Sequence, residues 1–357
     1  MANLTLWSRR LAKTVVAAAI GPVLPRRAPL VIGYHRVVPD FEAARRTMMP
    51  SMLVSRGMLE RQLDCLGRFY RFVSVDDLGA AGTDRPRRGK PAAAVTFDDG
   101  YRDVYEHAFP LLRRKGIPAA VFVVTDFAGT DRPLLNDRVY RLAAHLLPRW
   151  RHPAKEAAQR LTTLGVSGEQ VHAIASATVT PIAFTRALVT GLTYDALTRV
   201  ADRLEADAQG DLPLPDGALP ASWDMLREMR RAGMTIGSHT ARHIRMTNEA
   251  RVLQEGETAA SRARIERELG EPVDQFAYPD GDFNSASVRV VDTAGYRWAY
   301  TTCRHRDPYH SSLTVPRLML WEHSSIDMSG RLSAHILRCQ SRGVLAGSRA
   351  CSYVAHA

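Results

Sequence analysis

The run Ala93-Ala94-Val95-Thr96-Phe97-Asp98-Asp99-Gly100-Tyr101-Arg102-Asp103 decides how this 357-residue chain is read. Its apolar half has the character of a buried strand, and it stops abruptly in two carboxylates and a glycine. Neighbouring side chains at a strand end point in different directions, so one carboxylate can ligate a metal while the other faces a substrate. Far downstream, Ser238-His239-Thr240-Ala241-Arg242-His243 sets two histidines four apart, a spacing that converges on one ion if the segment turns helically. One carboxylate and two imidazoles form a usual open catalytic metal site, with a position left for water. Taken singly, Asp98-Asp99 could be a helix N-cap with a charged neighbour, and the histidines two polar loop residues. Together with the turn Pro279-Asp280-Gly281 they favour a site.

Outward from this run the chain alternates. Residues 30–34 read as a strand delivering His35 in Gly33-Tyr34-His35-Arg36-Val37, and residues 41–57 read as a loop over one end of the fold. Residues 58–69 have helical spacing, 72–75 read as a short strand, and 104–115 form a helix closed by Gly116. Another apolar strand follows at 119–124. Strand–helix–strand alternation of this kind implies parallel strands with right-handed crossovers. Later strands are expected at 235–237, 275–278, 298–302 and 315–321.

Residues 131–220 break the alternation. Val139, Leu142, Ala143, Leu146 and Leu147 share one helical face, and Leu197, Val200, Ala201 and Leu204 another, so an α-helical insertion is expected there, either a lid, a docking surface or added bulk. Residues 1–27 carry no acid, and a basic start precedes a short apolar stretch. A secretory signal and a basic amphipathic segment on an anionic membrane surface explain these features equally well.

An apolar content of 45% indicates a globular core, and the net charge of +11 points to acidic partners such as anionic envelope polymers or phospholipid head groups. No nucleic acid is expected, because the arginines are scattered and no recognition motif is present. Cys65, Cys303, Cys339 and Cys351 are widely spaced and read as plain thiols.

With Thr96-Phe97-Asp98-Asp99-Gly100, His239-x-x-x-His243 and Pro279-x-Gly281 in this order, the chain resembles the polysaccharide deacetylase family with its NodB-homology domain. The resemblance implies an α/β fold, a distorted (β/α) barrel over 28–130 and 221–322, and a helical insertion at 131–220. Residues 323–357 then form a C-terminal helix and tail. The site is expected at the carboxyl ends of the strands. The resemblance further implies a divalent metal, zinc or another divalent transition metal, on Asp99, His239 and His243, with Asp98 as general base toward water. It places the oxyanion at the Pro279 turn, at the Asp280 backbone N–H, with Tyr278 and Gly281 beside it. The acid for the leaving amine is His35 in Tyr34-His35-Arg36-Val37, a pattern similar to that of envelope exopolysaccharide deacetylases, or else His323. Where the family has Arg-x-Pro-x-Gly, this chain has Ala277; Arg317 is a candidate replacement, and Trp298 a candidate groove wall. The implied function is metal-dependent N-deacetylation, with O-deacetylation as the lesser alternative, of an amino sugar in a cell-surface polysaccharide or glycan precursor. The alternative is a degenerate domain that binds glycan or an assembly partner. The cell envelope is the favoured location, with a cytoplasmic peripheral membrane protein as the alternative.

Overall fold

The computed structural model describes residues 29–80, 89–208 and 217–344, with isolated positions at 14, 16, 17, 210, 212 and 214. The readings of residues 1–27 and of the far C-terminal tail fall almost wholly outside the described residues. Among the described residues, no helix is long and apolar enough to cross a membrane.

Among the described residues eleven strands occur: β1 Leu30–Tyr34, β2 Arg36–Val38, β3 Leu53–Ser55, β4 Arg71–Phe72, β5 Ala92–Phe97, β6 Ala119–Val123, β7 Thr235–Ser238, β8 Gln275–Ala277, β9 Trp298–Thr301, β10 Val315–Pro316 and β11 Leu318–Met319. The main sheet runs β10-β9-β8-β7-β6-β5-β1-β11, with β4 paired on β5. Every ladder in it is parallel. Residues expected as one last strand are two short ones. Val315 pairs with Tyr300 of β9, while Leu318 pairs with Ile32 of β1. A single extended segment thus joins both edges of the sheet and nearly closes it into a barrel, as expected, with Arg317 at the joint.

Strand period explains the layering. Leu30, Ile32 and Tyr34 of β1 and Ala93, Val95 and Phe97 of β5 face the large outer core beneath the helices. The alternate residues Val31, Ala94, Ala120, Phe122, Ala277 and Tyr300 fill the narrow interior. That interior has no spare room: a Cβ on Gly237 would lie 2.7 Å from the Phe122 ring and 2.9 Å from the Gln275 carbonyl oxygen.

The covering helices begin and end where local chemistry directs. Ser222 caps the helix Trp223–Arg231 by accepting from the Met225 N–H, and Asn284 and Ser287 form a reciprocal capping box at Ser285–Thr293. Gly270, at φ 74°, ends the long helix Arg251–Leu269 in the left-handed conformation that favours glycine. Residues 41–57 are more ordered than a loop. They contain a helical turn Phe41–Ala44, and β3 pairs with β2 in a small parallel sheet.

Helices Leu135–Leu146, Pro153–Thr163, Gly168–Ser176, Pro181–Gly191 and Tyr194–Ala208 follow β6. They share a separate apolar core built from Val139, Leu142, Leu146, Leu161, Phe184, Leu188, Val200 and Leu204. Of the cysteines, Cys65 and Cys339 are free and buried, but Cys303 is disulfide-bonded, unlike the plain thiol expected.

Candidate active site

Strand β5 ends at Phe97, so Asp98 and Asp99 sit just past the carboxyl end of a barrel strand, both 3% exposed. The chain turns sharply here, with Asp99 at φ 73° and Gly100 at φ 72°. Strand β7 ends at Ser238, and His239 continues inward, 1% exposed. The two histidines do converge, with ring centroids 4.9 Å apart, but not by a helical turn. Left-handed kinks at Thr240 (φ 65°) and His243 (φ 66°) fold the segment back instead. Asp280 (φ 58°) completes the set of positive-φ non-glycine residues among the described ones. All four lie at the carboxyl ends of β5, β7 and β8, and strain of about 1–3 kcal/mol each is retained where function demands the geometry.

Asp99, His239 and His243 each offer one ligand atom, all within 4.8 Å of one another. Asp99 Oδ1 stands 3.5 Å from His239 Nε2 and 3.2 Å from His243 Nε2. It is buried and lacks a hydrogen bond of acceptable geometry. His239 Nδ1 lies 2.8 Å from the Ala277 carbonyl, which can only accept, so Nδ1 carries the proton and Nε2 presents a lone pair. An orphaned carboxylate oxygen between imidazole nitrogens, one fixed in the ligating tautomer by its outer partner, fits a divalent transition metal.

The electrostatics agree. Burial alone would raise the Asp99 carboxyl, but the facing His243, with His35 and His239, overcomes it and holds Asp99 well below the usual carboxylate range. Burial lowers His239 to about 4, while His243, against the same trend, is raised to about 9 by Asp99.

Asp98 points the other way. Arg317 grips it with both arms, Nη1 to Oδ1 at 2.6 Å and Nη2 to Oδ2 at 2.8 Å, while Nη1 also donates to Thr96 Oγ1 at 3.2 Å. The arginine comes from the segment that closes the barrel and is fully buried. Burial would raise Asp98, but Arg317 outweighs it, aided by His239 and His35, and Asp98 is held below the usual range. His35 Nε2 lies 3.9 Å from Asp98 Oδ2, with its side chain 27% exposed. One wall of the site is therefore buried charge, and His35 is the group that opens to solvent.

The Pro279–Gly281 turn leaves Pro279 and Gly281 buried and Asp280 exposed, close enough to help raise His243. Gly281 cannot be replaced freely, because its φ is 66° and an added Cβ would collide with Thr302. Tyr278 is fully buried and donates its hydroxyl to the Leu313 carbonyl at 3.1 Å, so it packs beneath the turn and does not face the groove. Trp298 also differs from expectation. It starts β9 and packs with the interior cluster at the amino end of the barrel, so it cannot wall a groove at the other end. His323 stacks edge-on to Phe41 and tilted to Trp321, with centroids 4.7 and 5.5 Å away.

Comparison with known proteins agrees with this geometry. The family model described as polysaccharide deacetylase matches residues 85–175 and 191–299, more than half of the chain. The chain belongs to the polysaccharide deacetylase family. The family match continues through much of the helical segment after β6 and omits only 176–190 between its halves. Bacillus subtilis (strain 168) YxkH, which carries a polysaccharide deacetylase name, is 30% identical over 76 residues, or 21% of this chain and 27% of that relative. The matched stretch thus spans about a quarter of that relative's length. Among solved structures, IcaB from Ammonifex degensii superposes with a TM-score of 0.53 at 19% identity, covering 88% of this chain and 97% of that one. The Streptococcus pyogenes deacetylase PplD, solved in complex with acetate, gives 0.51 at 17% identity, covering 86% and 97%. At these identities the two structures establish the deacetylase-type barrel fold.

Sequence reasoning missed a second buried cluster behind the site. Arg36, Tyr101, Asp103 and Asp137 are buried together, and the Arg36 guanidinium lies 3.6 Å from the centre of the Tyr101 ring. The available signal was an arginine inside the otherwise apolar run that carries His35.

Proposed function

We propose that this chain is a metal-dependent deacetylase that removes N-acetyl groups, with O-acetyl groups as the lesser alternative, from amino sugars of a cell-surface polysaccharide or glycan precursor. The observation that carries the reading is the pair of unlike carboxylates: Asp99 orphaned between two imidazoles, and Asp98 gripped by Arg317 beside His35. Asp99, His239 and His243 would hold the ion, with zinc as the leading candidate. A divalent ion there supplies Lewis-acid chemistry, lowering the pKa of water from ~15.7 to ~7.

Asp98 then accepts the proton of the attacking water. Its grip by Arg317 makes it a weaker base than a free carboxylate, yet keeps it ionised and aimed, which suffices for water already made acidic. The water oxygen bonds to the acetyl carbon, and the Asp280 backbone N–H offers a donor to the carbonyl oxygen as charge develops. Expulsion of the sugar nitrogen needs a proton, and His35, beside Asp98 and open to solvent, supplies it. Arg317 does for Asp98 what Ala277 cannot. We further propose the barrel as residues 28–130 and 221–322, with 131–220 inserted. The net charge of +11 suits an acidic glycan or an anionic surface.

The test is acetate release from a panel of N- and O-acetylated polysaccharides and oligosaccharides by zinc-loaded wild type and Asp98→Asn. Release by wild type alone supports the reading and names the substrate class. Stoichiometric metal binding with no release from any panel member would favour a glycan-binding domain.

A further inference from the structure

The helix Leu135–Leu146 opens the helical segment after β6, and its first turn reaches the site twice. Asn136 Nδ2 lies 3.4 Å from His243 Nδ1, the ring nitrogen turned away from Asp99; with the amide turned about its end, Asn136 Oδ1 accepts the Nδ1–H and leaves Nε2 with the ligating lone pair. The next residue, Asp137, is 6% exposed and accepts from Tyr101 Oη at 2.8 Å and from Arg36 Nη2 at 3.2 Å.

Those two partners flank the catalytic groups. Tyr101 follows Asp98-Asp99-Gly100 directly, and Arg36 follows His35. Arg36 is held from several sides. It donates to Asp103 Oδ2 at 3.1 Å and to the carbonyls of Gly217 (3.2 Å) and Ala218 (2.9 Å), and Asp103 Oδ1 also accepts the Val37 N–H at 3.2 Å. One guanidinium shared by two buried carboxylates is the kind of group that fixes a backbone, because losing a partner leaves charge buried and unpaired. The backbone carrying His35 is therefore pinned from behind, and one of the pins belongs to the helical segment.

We propose that Asn136 and Asp137 are positioning residues: Asn136 orients the ligand His243, and Asp137, through Arg36 and Tyr101, holds His35 and the Asp98-Asp99 turn in place. On this view the helical segment is a working part of the site rather than a lid or added bulk. A ligand imidazole commonly has its second nitrogen satisfied by an outer partner, and loss of that partner costs metal affinity. The proposal rests on the metal site and acid assigned above.

The test uses the full chain. Affinity for Zn2+ and Co2+ is measured by chelator competition, the visible absorption of the Co2+-loaded protein is recorded, and kcat and KM are measured per metal-loaded site. For Asn136→Ala, the expected result is metal binding weaker by about 10–100-fold with an altered Co2+ spectrum. The melting temperature of the metal-free protein should be unchanged, because Asn136 is only half-buried. For Asp137→Asn, kcat should fall at least tenfold with KM within threefold. Tyr101→Phe keeps the ring under Arg36 and should lower kcat in the same direction should Asp137→Asn fail to fold.

The proposal is overturned if Asn136→Ala binds metal within twofold of wild type with the same spectrum while Tyr101→Phe keeps wild-type kcat. The metal measurements do not depend on turnover. A wild type that releases no acetate, together with an Asn136→Ala that binds metal weakly, would sink the functional reading and leave the Asn136 contact standing.

Discussion

The two ends of the barrel handle buried polar groups in opposite ways. At the amino end, Asp76 accepts from Thr235 Oγ1 at 2.9 Å and from Gln275 Nε2 at 2.6 Å, and Gln275 Oε1 accepts from Tyr300 Oη at 2.8 Å. That network is closed: each carboxylate or amide oxygen has its donor, and no non-glycine residue there has positive φ. At the carboxyl end Asp99 Oδ1 faces only the imidazoles of His239 and His243, and the four left-handed non-glycine residues among the described ones lie at that same end. Strained backbone costs stability, so its gathering at one end, beside a buried carboxylate flanked by two imidazoles, marks where binding a ligand returns what folding gave up. The amino end stabilises the fold, and the carboxyl end brings together a carboxylate and two imidazoles that could hold an ion.

The comparison is broken most easily at its strained end. Asp99→Ala or His239→Ala should abolish tight metal binding and lower acetate release at least ~1,000-fold, since the Lewis acid would be lost. Metal-free His239→Ala should melt no lower than metal-free wild type, because a desolvated imidazole has been removed, whereas metal-free Asp99→Ala should melt lower at pH 7, because it loses the ion pair with the protonated His243; a large fall in melting temperature for His239→Ala would show that this histidine serves the fold instead.

Arg317→Met should keep metal stoichiometry and lower kcat by about 100-fold or more, within the range lost with a positioned general base. Its cost to folding should also be large, because Asp98 would be left buried with its charge unpaired. A variant with wild-type kcat would refute the role of Arg317.

A milder effect concerns protons. In the metal-free protein His243 is raised to about 9 and His239 lowered to about 4. At pH 7, His243 therefore carries a proton that ligation must expel, while His239 is already neutral. Calorimetry in buffers of different ionisation enthalpy should find about one proton released per ion, and affinity should rise about tenfold per pH unit from pH 7 until the pH approaches 9. Release of no proton would contradict the assignment of His243 as a ligand.

The smallest change in activity belongs to the other end. Asp76→Ala should cost about 1–2 kcal/mol of stability by leaving Gln275 and Thr235 without their acceptor. Its kcat per metal-loaded site should stay within twofold of wild type, measured beside urea denaturation. A loss of activity exceeding the loss of folded protein would mean that the two ends are coupled.

What could be read from the chain divides along similar lines. The strand ending in Asp98-Asp99 and the histidine pair were legible because their signal is local: an apolar run, an abrupt stop, a ligand spacing. Of the helices of 135–208, the first and the last were legible from period, while the three between them were expected only as part of a helical insertion. The route by which His239 and His243 meet was not, because left-handed turns at Thr240 and His243 leave no mark in residue type comparable to a glycine. Arg317 stood out only as a candidate, since its value depends on a closing segment that pairs with β9 on one side and β1 on the other. Trp298 was misplaced for a related reason: composition names a strand but not which of its ends faces the site. The Arg36–Asp137 contact joins residues 101 positions apart and depends wholly on how the helices after β6 dock.

Whether a bound ion drives the reaction is tested by a metal titration with acetate release as the readout. Metal-free protein receives zinc in steps, and the initial rate on the best N-acetylated substrate of the panel is followed alongside bound metal. The rate should rise linearly to one ion per chain and then level. Asp98→Asn should bind the same single ion, yet turn over ~1,000-fold more slowly or worse, the loss expected when the proton acceptor is removed. Acetate release that is indifferent to bound metal, or an Asp98→Asn that works at the wild-type rate, would contradict this mechanism.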